Sequence, residues 1–93
     1  MGQLAETIRK LIQEERYLIG EHATERLSER SIMEWQAVDA TICGDVVAER
    51  PSAYPNPVVE FVGLLPDGTE VKIVWAYLQR SAAAKLVTVF YLD

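Results

Sequence analysis

The apolar pattern of this chain changes period at Gly44, and that change decides its fold class. Before Gly44 the apolar residues recur three and four apart, as in Leu4, Ile8, Leu11 and Ile12, which places them on one side of a helix. After it they alternate, as in Val71, Ile73, Trp75 and Tyr77, which places them on one face of a strand. Helices followed by a meander of strands predict an α+β fold, with N-terminal helices packed on a C-terminal antiparallel β-sheet. The 93 residues suffice for one domain, taken as 1–93, near the small end of what buries its own core.

The helices are expected at Gln3–Arg16, Glu21–Glu29 and Met33–Cys43, with a break around Tyr17–Gly20. Two starts fit the third. Ser31 with Glu34 three residues later is a capping-box pattern, and so is a start with Met33 outside the helix and Gln36 at its third position. Trp35, Val38 and Ile42 form its apolar stripe, and Gly44 is a natural terminator. Val46–Ala48 reads as a short strand. The segment Pro51–Pro57 holds three of the four prolines and must be a loop. Strands follow at Val58–Leu64, Glu70–Leu78 and Lys85–Leu92, the first two joined by the turn signal Pro66-Asp67-Gly68. Leu27, Ile32, Val38, Ile42, Phe61, Val74, Val87 and Val89 are the expected core.

Charge and composition exclude several classes of function. Nine basic residues face fourteen acidic ones, a net charge of −5, so the overall field opposes a nucleic-acid backbone and RNA is disfavoured as a partner. One cysteine, Cys43, forbids an internal disulfide. One histidine and scattered carboxylates show no ligand spacing, so neither a metal nor a cofactor is expected. No apolar run is long enough to span a membrane. The first residues lack the basic start and apolar centre of a signal peptide, and Glu6 stands where a myristoylation signal needs Ser or Thr. Cytoplasm is the expected compartment.

One stripe of side chains carries chemistry. His22, Arg26 and Arg30 lie four apart in HATERLSER, on one side of the second helix and within reach of a single anion. Glu21, Glu25 and Glu29 form a neighbouring stripe at the same spacing, leaving the arginines only i, i+3 partners on their own helix, such as Glu29 for Arg26. Two readings follow. Either the guanidiniums border a groove near the sheet that takes an anionic ligand, with His22 and Thr88 or Tyr91 facing the same space, or they pair internally with carboxylates such as Asp39, Asp45 or Glu60. His22, the only histidine, is the one candidate for acid–base work near neutral pH.

These residues resemble the signature of the small bacterial proteins grouped as domain-of-unknown-function family 4258. HATERLSERSI matches its His, Arg and Arg, although Ser31 stands where glycine is usual and Met33 where a capping serine is usual. Gly44-Asp-Val-Val resembles the family's glycine and short strand, Leu65-Pro-Asp-Gly-Thr its hairpin, and Leu86-Val-Thr-Val-Phe-Tyr its last strand. The resemblance covers about Tyr17 to Leu92 and leaves out the first helix, residues 1–16. It implies a scaffold similar to the RelE- and BrnT-type toxins, metal-independent ribonucleases with helices before an antiparallel sheet. By that implication His22 is the acid or base, Arg26 and Arg30 are phosphate clamps, and Thr88 is a hydrogen-bond donor on the sheet. Two functions are thereby expected: a non-catalytic binding or regulatory module, partnered by an antitoxin-like protein or by itself, or a metal-independent endoribonuclease of the toxin–antitoxin type. The acidic balance favours the module.

Overall fold

The helical half of the chain is interrupted once by a strand in the computed structural model, which describes residues 2–92. The elements are α1 (Gln3–Gln13), β1 (Tyr17–Ile19), α2 (Glu21–Glu29), α3 (Glu34–Cys43), β2 (Asp45–Arg50), β3 (Val58–Leu64), β4 (Glu70–Leu78) and β5 (Ala83–Tyr91). The α+β class, with helices before the main sheet, is as expected. α1 ends sooner than Arg16 because Glu15 turns left-handed at φ 62°. Its N–H then bonds the Ile12 carbonyl at 3.0 Å, and the Arg16 N–H reaches back to Leu11 at 2.8 Å, satisfying the carbonyls of the last turn.

That turn sets Tyr17–Ile19 in the sheet, where only a break was expected. β1 runs parallel to β5, with Tyr17 opposite Ala84 and Ile19 opposite Leu86. The strand order is β1-β5-β4-β3-β2, and every other pairing is antiparallel. The wholly antiparallel sheet is thus corrected to a mixed one. Three residues are too few to show alternation, so the strand leaves no periodic signal.

α2 falls where its pattern placed it. It closes with the same turn as α1: Ser31 sits at φ 56°, and the Ile32 N–H bonds the Leu27 carbonyl at 2.9 Å. Ser31 is therefore spent on ending α2 and does not cap α3. The second of the two starts is the one observed, the Met33 N–H donating to Gln36 Oε1 at 3.0 Å.

The helices cover one face of the sheet. Trp75 and Phe61 are the largest side chains sealed there, with Val59, Val71, Ile73, Leu86 and Val89 around them. Trp75 Nε1 donates to Thr41 Oγ1 at 2.9 Å, and Thr41 donates on to the Ala37 carbonyl at 2.9 Å, so this buried polar pair is satisfied. α3 lies unusually close to β3: a Cβ placed on Gly63 would come within 2.2 Å of the Ala40 carbonyl oxygen. Only small residues fit such an approach, and Ala37, Ala40 and Thr41 form the buried side of α3.

This rotation moves the Trp35, Val38 and Ile42 stripe from the centre of the core to its margin, where Val38 and Ile42 still pack against it. Val38 and Ile42 are half-buried, and Trp35 is exposed. Leu27, Ile32, Phe61 and Val89 are buried as expected, whereas Val74 and Val87 are half-buried. Val74 lies on the face of the sheet turned away from the helices. There Glu60 of β3 bridges its two neighbouring strands, accepting from Arg50 Nε at 3.0 Å and pairing with Lys72 Nζ at 3.3 Å. Val87 is the extra residue of a bulge opposite the Val74–Trp75 step, and one extra residue reverses the alternation beyond it.

Candidate functional site

α2 lies along β5 and buries Ala23 and Leu27 against it, which turns the polar stripe outward. His22, in the first turn, is exposed and makes no hydrogen bond or ion pair with other described residues. The side chains of Arg26 and Arg30 are 35% and 29% exposed. Arg26 pairs with Glu29 on the same helix, and Arg30 Nη1 lies 3.8 Å from the same carboxylate oxygen. The partner is neither Asp39, Asp45 nor Glu60, and the i, i+3 pair is the one that the helix spacing left open.

Tyr91 joins this group from the sheet. Its hydroxyl donates to the Arg30 carbonyl at 2.7 Å, and the Arg30 guanidinium lies 6.0 Å from the centre of its ring. Thr88 does not join it. The bulge at Val87 pairs Thr88 with Val74, on the face away from α2, and sets Leu86 and Val89 beneath the helices. A strict alternation from Leu86 would have put Thr88 under the helix. The fold brings together Arg26, Arg30 and Tyr91, leaves His22 alone at the start of α2, and separates Thr88 from all of them.

A second surface, not anticipated from the sequence, is built where α3 meets β1. Turning Ala37, Ala40 and Thr41 inward leaves Met33 60% and Trp35 58% exposed, with Val38 and Ile42 half-buried beside them. Two adjoining grooves run along this side, about 560 and 670 Å³ in volume, sharing Tyr17, Glu34 and Val38 in their walls. Tyr17 stands edge-on to Trp75 at 5.8 Å and donates its hydroxyl proton to Glu34 Oε2 at 2.7 Å. That hydrogen bond, with burial and the negative charge of Glu34, pushes the Tyr17 hydroxyl up to about 12. The signal for this surface was present in the sequence as a competing stripe, Ala37, Ala40 and Thr41, beside the larger one.

Among the described residues, no three of His, Cys, Asp and Glu are grouped to hold a metal ion. Nor is any helix among the described residues long and apolar enough to cross a membrane. No curated protein and no solved structure matches the chain significantly. A family model described as Domain of unknown function (DUF4258) does match, over residues 19–91, from the end of β1 to the end of β5 and without α1. With its helix of His22, Arg26 and Arg30, its hairpin and its last strand all inside that match, the chain belongs to the DUF4258 family.

Proposed function

We propose that this chain is a non-catalytic binding module on a scaffold resembling that of the RelE-type toxins. The observation that carries this reading is the dispersal of the expected catalytic set. Thr88 lies on the far face of the sheet from α2, and the Arg26 and Arg30 charges share the Glu29 carboxylate. A phosphorane-stabilising site needs cations and an acid–base pair aimed at one position, with donors about 3 Å from it. The net charge of −5 adds to the case, since an RNA-cutting protein gains most of its affinity from a basic surface. Induced expression in bacteria tests the reading. Wild-type chain and His22→Ala should both leave growth and bulk RNA unchanged.

One feature supports a second reading, a metal-independent endoribonuclease of the toxin type. His22, Arg26 and Arg30 stand four residues apart along the outward side of α2, the spacing that makes helix side chains neighbours. That reading predicts growth arrest and RNA cleavage by the wild type, lost in His22→Ala.

A further inference from the structure

We infer that the surface between α3 and β1 is a docking site for a partner protein's basic amphipathic segment, one whose apolar residues are flanked by Lys or Arg. The inference rests on the binding-module reading and says where the module binds and what chemistry it takes.

The floor is apolar. Met33 and Trp35 are largely exposed, and Val38 and Ile42 extend the patch down α3. Exposed Trp and Met side by side are what the centre of an interface is made of, and they are uncommon on a surface that meets only water. The wall is the outer side of β1, an edge strand with Leu18 exposed on it.

The rim identifies the occupant. Every charged residue lining the two grooves is a carboxylate: Glu15, Glu34 and Asp39. No Lys or Arg lines either one. Tyr17 engages one oxygen of Glu34, and the other has no hydrogen-bond partner among the described residues. An apolar strip with an acid-only rim matches a segment that is apolar in the middle and cationic at its edges. A second copy of this chain fits poorly, because it would set the three carboxylates against three more. The overall charge of −5 draws a basic segment in from a distance by the same sign rule.

Trp35 makes the test direct, because it is exposed and the other tryptophan, Trp75, is fully buried. The probe is a synthetic amphipathic peptide of Leu and Lys, with a Leu and Glu counterpart as control. The full chain should bind the Leu/Lys peptide with a blue shift of tryptophan emission that Trp35→Phe removes. Affinity should fall at least about tenfold in Trp35→Ala and in the pair Glu34→Gln with Asp39→Asn. The distant pair Asp67→Asn with Glu25→Gln, on the hairpin turn and on α2 and lining neither groove, should leave it unchanged. Far-UV circular dichroism identical to wild type excludes misfolding, since Trp35, Glu34 and Asp39 are all exposed.

Three results overturn the proposal: no binding, equal binding of the Leu/Glu peptide, or the same loss from the distant pair, which would reduce the effect to general charge attraction. A dimer in sedimentation that Trp35→Ala dissolves also overturns it, by giving the patch to a second copy. Failure here leaves the expression assay untouched. RNA cleavage that depends on His22 defeats the module reading whatever the peptide does.

Discussion

Ser31 shows how one residue holds two helices in register. It takes a left-handed φ of 56° so that Ile32 can close the end of α2, only two residues before α3 is capped at Met33. A residue with a Cβ is strained there by roughly 1–2 kcal/mol, and glycine is not. Glycine also loses more freedom on folding, which returns part of the difference. Ser31→Gly should therefore raise stability by about 0.5–1 kcal/mol, read as a higher urea midpoint at unchanged slope. The sequence pointed at this position, because the family resemblance carries glycine there, but one of the two starts it allowed for α3 took the serine as that helix's cap. Ser, Asp and Thr are read as caps from their side chains, and a left-handed backbone leaves no such mark.

At the scale of elements, the ladder Arg50–Glu60–Lys72 ties β2, β3 and β4 together on the open face of the sheet. Burial alone would raise the Glu60 carboxyl, but the hydrogen bonds and charges of Arg50 and Lys72 outweigh it and hold it below the usual range. A depressed carboxyl contributes stability above its unfolded value that is lost as pH falls through its folded one. Glu60→Gln should cost about 0.5–1 kcal/mol at neutral pH and close to nothing in strong acid, measured by urea unfolding across that range. The elements themselves were largely legible: α2, the Pro66-Asp67-Gly68 hairpin, β3 and β4 stand where periodicity put them. What escaped were features that periodicity does not encode. β1 is too short to alternate, and the closeness of Gly63 to Ala40, not hydrophobicity, chose which side of α3 is buried. The bulge at Val87 moved Thr88 to the opposite face and put Tyr91 beside Arg30, so half of the candidate site could not be placed by counting residues.

The whole molecule is closed by strands drawn from its two ends. Arg16 accepts from the Ala84 N–H at 3.1 Å, and Gly20 donates to the Leu86 carbonyl at 3.0 Å, so β1 and the start of α2 are fastened to β5. Contacts between residues so far apart in sequence close a long loop and form late, because the loop entropy is lost before they are made. β5 also lies between β1 and β4 and forms the platform on which α2 rests. During synthesis, β1 and α2 therefore remain without a seat until the segment from Ala83 to Tyr91 has left the ribosome. Chains stalled before Ala83 should be cut by protease at β1 and α2, while chains extended past Tyr91 by a tether should resist. A cell makes β1 and α2 long before it can seat them, and for that interval the uncovered Ile19 and Leu27 are surfaces for a chaperone to hold.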